Sequence, residues 1–350
     1  MQLCWRPDYV ESSKLDPATA PLIWWSNGGP GCSGLLGLLT EHGPFRMAAS
    51  PATGLVPFDF AWNQLANVLY VDAPAGVGFS FSNDASDYST GDAQTADDNL
   101  RAIQEFLKRF PEQSANDLYL SSESYGGHYV PTLAAVIIRS QSLPNFKGFL
   151  LGNPLTDIYE EALWGQAGTL CGHSLASAPT CANFTLHCLG ASGMDAECPL
   201  AHAAVVAESG DGIDTYGLDY PTCPQQAQAR TLLRHLYPDK QLLQGASSPF
   251  AVRLSAVDPA YDPCLQSEEA VYMSRADVHA ALRVSPKAFA WQPCTRNIAY
   301  NQSDFMSSME PLYTGLLASK ANLRMLIFSG DDDSVCATLG TFSVFTRINC

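Results

Sequence analysis

Positive charge is scarce in this 350-residue sequence: 19 Lys and Arg stand against 35 Asp and Glu, for a formal net charge of −16. So acidic a chain argues against nucleic acid and anionic membrane as partners. Charge of either sign is sparse, at 15% of residues against 46% apolar. That balance is globular, not disordered. No run of 18 uncharged apolar residues occurs, so no transmembrane helix is expected. A signal peptide is missing too: Met1-Gln2-Leu3-Cys4-Trp5-Arg6 has no charged start followed by an apolar block. The sequence has 11 cysteines but no paired C-x-x-C spacing of a zinc site. Cys171, Cys181, Cys188, Cys198 and Cys223 crowd one segment and read as disulfides of an oxidising compartment. Asn183-Phe184-Thr185 and Asn301-Gln302-Ser303 are glycosylation sequons that point the same way. A secreted-type interior without a signal peptide predicts that the start of the chain is missing. No metal or organic cofactor is implied.

What is present centres on Leu118-Tyr119-Leu120-Ser121-Ser122-Glu123-Ser124-Tyr125-Gly126-Gly127-His128. A short apolar run with strand character leads into small residues and then a helical pattern. Ser122-Glu123-Ser124-Tyr125-Gly126 is close to the G-x-S-x-G elbow, which holds a nucleophilic serine on a strained strand-to-helix turn. Ser122 replaces the first glycine and weakens the bare motif. Upstream, the apolar run Pro21-Leu22-Ile23-Trp24-Trp25 reads as a buried strand. It ends in Ser26-Asn27-Gly28-Gly29-Pro30-Gly31-Cys32-Ser33. In serine hydrolases such a Gly-Gly loop supplies one oxyanion donor and the residue after the nucleophile the other. Gly29 and Tyr125 take those positions. Further strands are read at Phe146–Pro154 and Arg324–Ser329, and helices at Asp92–Phe110, Ser274–Leu282 and Met309–Leu317. Thr95 and Asp98 suggest a capping box for the first helix, and Ser274 a cap for the second. Alternating strands and helices over residues 20 to 154 argue for an α/β fold, a mostly parallel sheet with helices on both faces.

The two glycine-containing stretches together resemble the serine carboxypeptidase family, whose relatives include lysosomal and vacuolar carboxypeptidases. The likeness runs through nearly the whole chain, including Phe58-Asp59-Phe60-Ala61-Trp62-Asn63 and Asn67-Val68-Leu69-Tyr70-Val71-Asp72-Ala73-Pro74-Ala75-Gly76-Val77-Gly78-Phe79-Ser80, the second of which resembles a core strand of the family and the loop after it. It implies an α/β-hydrolase fold with a helical, disulfide-rich cap insertion. The domain reading is residues 1–155 as the N-terminal part of the core, 156–262 as the cap and 263–350 as the C-terminal part. The resemblance also implies a Cys32–Cys294 bridge and a pairing of Cys264 into the cap, whose connectivity the sequence leaves open. Cys4 and Cys350 are expected unpaired. Cys336 matches a cysteine that some members leave reduced near the substrate pocket.

The resemblance assigns roles to particular residues. Ser124 is the nucleophile, and Asp333, in Gly330-Asp331-Asp332-Asp333, is the triad acid. In this fold the order is Ser, acid, His, yet none of the seven histidines follows Asp333. His128 reads as a packed structural residue. The expectation is therefore a chain truncated at both ends, without its general base and nearly inactive. Trp25, Asn27, Gly28, Glu41 and Glu123 correspond to the family's site for the terminal carboxylate of a peptide. Two facing glutamates would share a proton and favour acidic pH. Substrates would be peptide or protein C-termini, in the secretory pathway, vacuole or lysosome, or outside the cell, and a homodimer is left open. Two alternatives are an acyltransferase on the same scaffold and a non-catalytic protective or binding protein. Retention of Asn27 and Glu123 favours the peptidase over the first; intact Ser124 and Asp333 favour it over the second.

Overall fold

The computed structural model describes residues 3–4, 7–47, 54–189, 195–210, 213–220, 266–319 and 321–348. Cys223, Cys264, Cys350 and the side chain of Cys4 lie outside them. So do residues 211–212 and 221–262 of the expected cap. The chain divides into two compact units: Met1–Thr156 with Leu265–Phe328, and Asp157–Cys264 with Ser329–Cys350.

The first unit is built on a six-stranded sheet. Its strands are β1 (Pro7–Val10), β2 (Leu22–Ser26), β3 (Asn67–Val71), β4 (Leu118–Ser124), β5 (Phe146–Pro154) and β6 (Arg324–Phe328). Their order in space is β6-β5-β4-β2-β3-β1, and all neighbours are parallel except β1, which runs against β3. Every residue of β3 is buried, and Leu22, Trp24, Leu118, Leu120, Phe149 and Leu151 are almost fully inaccessible. Such near-continuous apolar strands belong to sheets covered on both faces. The register pairs Leu22 with Leu118, Trp24 with Leu120 and Ser26 with Ser122. The loop after β2 and the turn after β4 therefore leave the sheet side by side, at the carboxyl ends where open α/β sheets bind ligands.

Helix α1 (Asp92–Arg109) buries Leu100, Ile103, Phe106 and Leu107 on one stripe. Its start corrects the capping-box expectation. Gly91 is the cap residue and offers no side chain. Thr95 and Asp98 sit inside the helix, where the Thr95 hydroxyl pairs with Thr90 and Asp98 accepts from Gln94. The orphan N–H of Asp92 is satisfied from far away in sequence, donating to Asp304 Oδ2 at 2.8 Å. Helix α2 (Gly126–Ser140) contains Pro131. Proline lacks the N–H that would bond the carbonyl four residues back, here Gly127. That carbonyl accepts instead from the Tyr313 hydroxyl at 3.0 Å.

The second unit contains α3 (Gln166–Gly172), α4 (Ala178–Cys188) and α5 (Cys198–Ser209). Disulfides Cys171–Cys181 and Cys188–Cys198 staple them in sequence. By loop-closure entropy each contributes roughly 2–3 kcal/mol. They surround a core of Leu170, Phe184, Val205 and Leu218. In the first unit, α6 (Gln266–Met273) and α7 (Ala276–Leu282) follow. The cap of α7 is Arg275, which pairs with Asp277 at 2.6 Å, while the expected cap Ser274 donates back to Val271. Helix α8 (Glu310–Leu317) packs on α2; the second unit closes with α9 (Thr338–Arg347). No helix among the described residues is long and apolar enough to cross a membrane.

Candidate active site

Strand β4 ends at Ser124 and α2 begins at Gly126, with Tyr125 as the only link. Ser124 has φ +54°, a left-handed conformation that a non-glycine residue adopts only under local strain. This is the geometry of a nucleophile elbow. The turn closes because its flanks are small. A Cβ on Gly126 would lie 2.1 Å from Ser122 Oγ, and one on Gly127 2.2 Å from the Leu155 carbonyl oxygen. Ser122, the departure from the motif, is accommodated by donating its hydroxyl to the Ser26 carbonyl on β2 at 2.6 Å.

The glycine loop after β2 lies directly against this turn. A Cβ on Gly28 would sit 2.5 Å from Tyr125 N and 2.6 Å from the Glu123 carbonyl oxygen, so no side chain fits there. Gly29 and Gly31 have φ +115° and +100°, open to glycine without strain. Cys32 is disulfide-bonded to Cys294. Ser33 N donates to Pro293 O, and Thr295 N to Gly31 O, on either side of that bridge. The Ser33 hydroxyl donates to Asp72 Oδ1 at 2.5 Å and accepts from Trp291 Nε1 at 3.0 Å. The loop is thus held at several points before any ligand arrives.

Trp25, Asn27, Gly28, Glu41 and Glu123 form one connected cluster beside Ser124. Asn27 is its hub. Its Oδ1 accepts from Trp25 Nε1 at 2.9 Å and from Gly37 N at 3.1 Å. Its Nδ2 donates to Glu41 Oε1 at 2.6 Å and to Glu123 Oε1 at 3.2 Å. Gly28 N donates to the same Glu123 oxygen at 2.8 Å. Both glutamates keep some exposure, but desolvation dominates their titration. Burial, with the Glu123 charge added, pushes Glu41 up to about 8 against the opposing Asn27 amide. Burial also raises Glu123. Two carboxyls bridged by one amide cannot both ionise cheaply, and both are held above the usual carboxylate range.

The histidine beside this cluster is not a base. His42 stacks on Trp62 at 4.1 Å and meets the edge of Trp25 at 4.1 Å, with Nδ1 on the Tyr70 hydroxyl at 3.1 Å. Burial pushes its pKa down to about 3. His128 is fully buried behind the elbow, with Nδ1 on Asp92 Oδ2 at 3.1 Å.

Sequence reasoning missed Glu269 on α6. It is 1% exposed, and neither carboxyl oxygen has a hydrogen-bond partner among the described residues. Burial and the Glu41 charge push its pKa up to about 8. The available signal was its spacing: Glu269 lies four residues before buried Met273, on the face of α6 that packs with Trp25 and Leu39.

In the second unit the three consecutive aspartates have separate duties. Asp331 is exposed, and its carbonyl meets His173 Nε2 at 3.1 Å. Asp332 accepts from Leu218 N through its carbonyl and from Asp219 N through Oδ2. Asp333 Oδ1 accepts from Val335 N at 2.7 Å and Cys336 N at 3.1 Å, which fixes its carboxylate in the turn. Cys336 is buried. Of the two sequons, Asn183 is exposed on α4; Asn301 is exposed too, but its Nδ2 donates to Asp304 Oδ1 at 3.0 Å.

Comparison with known proteins agrees with this geometry. A family model described as serine carboxypeptidase matches residues 9–350. Serine carboxypeptidase-like 26 of Arabidopsis thaliana is 36% identical over 333 residues, covering 93% of this chain and 69% of its own length. Serine carboxypeptidase 24 of the same plant is 36% identical over 355 residues, covering 97% and 72%. Among solved structures, Kex1(delta)p, a prohormone-processing carboxypeptidase from Saccharomyces cerevisiae, matches 99% of this chain and 73% of its own with a TM-score of 0.73 at 19% identity. At that identity the likeness speaks for the fold, which with the parallel sheet and the elbow after β4 is that of an α/β-hydrolase. The chain belongs to the serine carboxypeptidase family.

Proposed function

We propose that the protein releases single residues from the free C-termini of peptides and proteins through an acyl-enzyme. Ser124 Oγ attacks the last peptide carbonyl while a histidine takes its proton. The oxyanion that forms is held by the N–H groups of Gly29 and Tyr125. The same imidazole then protonates the departing amine, and water hydrolyses the ester by the reverse sequence. Asp333 holds that imidazole in one tautomer and stabilises its charged form. All seven histidines of this sequence precede Asp333, so none of them satisfies the Ser, acid, His order of the fold.

The observation that carries this reading is the Asn27 bridge between Glu41 and Glu123, with Glu123 adjacent to Ser124. It places a proton-sharing carboxyl pair, an amide and the Gly28 N–H one residue from the attacking oxygen. A substrate carboxylate one peptide unit beyond the attacked carbonyl finds donors there as long as the pair keeps its proton. Ionised, the pair repels it. Activity is accordingly favoured at acidic pH. Three disulfides among the described residues fit an oxidising, secretory-pathway setting.

The test is a choice of acyl donor. At about pH 5 the full-length protein should release free leucine from benzyloxycarbonyl-Phe-Leu, with kcat/KM of at least about 10⁴ M⁻¹s⁻¹, and should not transfer acyl groups from a 1-O-acylglucose. Efficient transfer from the glucose ester without leucine release would mean an acyltransferase; neither reaction, a binding protein.

A further inference from the structure

A buried carboxylate outside the catalytic set holds the Tyr125 side chain and a group of tyrosines that reaches the glycine loop. The Tyr125 hydroxyl donates to Asp92 Oδ1 at 3.0 Å. The Tyr300 hydroxyl donates to the same oxygen at 2.6 Å. His128 Nδ1 occupies Asp92 Oδ2 at 3.1 Å. On the glycine-loop side, Gly31 N donates to the Tyr129 hydroxyl oxygen at 3.2 Å, and the Tyr129 ring packs edge-on against Tyr125 at 5.1 Å and against Tyr300 at 6.2 Å. The glycine loop thus connects to Asp92 through one hydrogen bond to Tyr129, the packing of Tyr129 on Tyr300, and the Tyr300 hydrogen bond to the carboxylate. Tyr125 is linked to the same carboxylate directly.

We propose that Asp92 is a positioning residue for the oxyanion hole, setting Tyr125 directly and the Gly29–Gly31 loop through the packed rings of Tyr300 and Tyr129. The proposal rests on the reading of Gly29 and Tyr125 N–H as the oxyanion donors. Asp92 is suited to the task because it is itself fixed. It opens α1, and its own N–H is held by Asp304 Oδ2 at 2.8 Å. The Tyr125 ring is clamped flat between His128, at 4.5 Å and 9°, and Phe305, at 5.7 Å and 5°. With ring and hydroxyl both held, the Tyr125 backbone has little freedom to turn its N–H. Burial pushes all three phenols well above the ordinary range, with the Asp92 charge adding to it. They therefore stay protonated donors at any working pH. Charge-assisted bonds of this kind are short and directional, as preorganised oxyanion stabilisation requires.

The test uses Tyr129→Phe and Tyr300→Phe in the full-length protein, each deleting one hydroxyl without adding volume, with Asp92→Asn as a third variant. Two ligands separate transition state from ground state. Benzyloxycarbonyl-phenylalaninal forms a reversible hemiacetal: the Ser124 Oγ–carbon bond forms, the carbonyl π bond opens, and the resulting oxyanion enters the hole as the Oγ proton passes to the base. Benzyloxycarbonyl-phenylalaninol has no carbonyl and reports ordinary binding. Removing a direct oxyanion donor typically lowers kcat by about 10²–10³; loosening one through its support should lower kcat by about 10-fold. KM and the alcohol's affinity should stay within about twofold of the parent, and the aldehyde's affinity should fall by the same factor as kcat/KM. Both Tyr→Phe proteins folded with kcat unchanged would overturn the proposal, as would a fall in kcat with undiminished aldehyde affinity, or one matched by an equal loss of alcohol affinity. If the parent protein binds the aldehyde no more tightly than the alcohol, the oxyanion assignment of Gly29 and Tyr125 fails, and this proposal with it. If Asp92→Asn does not fold, the two tyrosine variants decide.

Discussion

Ser124→Ala is expected to lower kcat/KM of the full-length protein for a blocked dipeptide by a factor of about 10⁴–10⁶, with KM little changed. The loss is that large because the serine, the base and its orienting acid act as a unit, and without the nucleophile the others contribute almost nothing. Binding survives because the carboxylate cluster around Asn27 is untouched. The same position makes a stability prediction. Ser124 holds φ +54°, and alanine inherits that strain whereas glycine does not. Ser124→Gly should therefore melt higher than Ser124→Ala, by about 1 kcal/mol of stability, although both are inactive. Thermal unfolding of the two proteins checks this. An alanine variant that keeps full activity would show that another group is the nucleophile; equal melting would show that the elbow is not strained.

The second large effect is a loss of stability as pH rises. Glu41 and Glu269 are pushed up to about 8, and Glu123 is raised as well. In the unfolded chain these carboxyls ionise in the ordinary range, near 4.3. Between those values the folded protein binds more protons than the unfolded one, so its stability falls as pH rises, until the folded pKa is passed. The contribution is fully present below about pH 4 and gone above about pH 8. His42 acts in the opposite sense: held down to about 3 by burial, it makes stability rise with pH up to its ordinary value near 6.5. The window from pH 6.5 to 8.5 therefore isolates the carboxyls. Across it the melting temperature should fall on the order of 5 °C. Glu269→Gln should make the fall shallower and melt above the parent at pH 8.5, because a neutral amide replaces a carboxylate with no hydrogen-bond partner among the described residues. A flat profile in the parent, or an unchanged slope in Glu269→Gln, would mean that these groups do not titrate as placed.

The residues read from the sequence divide by the distance over which their signal acts. The glycine loop and the elbow were legible because each is a short contiguous stretch whose backbone shape demands its residue types. Gly28 admits no side chain against Tyr125 N, and Gly126 none against Ser122. Alternating apolar runs gave the parallel sheet for the same local reason. What failed was decided by residues remote in sequence. Thr95 and Asp98 looked like a capping box, but the first N–H of α1 is satisfied by Asp304. Ser274 is the local exception: its hydroxyl donates to Val271, three residues back, and Arg275 holds the cap position. Ser122 looked like a defect in the motif until the neighbouring strand supplied Ser26 as its acceptor. Glu269 drew no reading from the sequence. Only the packing of α6 against the cluster around Trp25 and Leu39 makes it a third buried carboxyl near Glu41. Local backbone demands can be read from a sequence; the partners of a polar side chain across the fold cannot.

The central claim is that Glu41, Glu123 and Asn27 make this serine hydrolase select a free C-terminal carboxylate. The measurement that tests it most directly is kcat/KM for benzyloxycarbonyl-Phe-Leu and for its C-terminal amide, followed from pH 5 to pH 9 in the full-length protein and in Glu41→Gln. The free acid should be preferred at pH 5 by about 10² or more, the worth of a buried charge-assisted pair of hydrogen bonds. That preference should collapse as pH rises through about 8, where Glu41 loses its proton. In Glu41→Gln, whose amide keeps its donor at any pH, the preference should persist to pH 9. Equal hydrolysis of acid and amide at pH 5, or a preference with the same pH dependence in both proteins, would contradict the account.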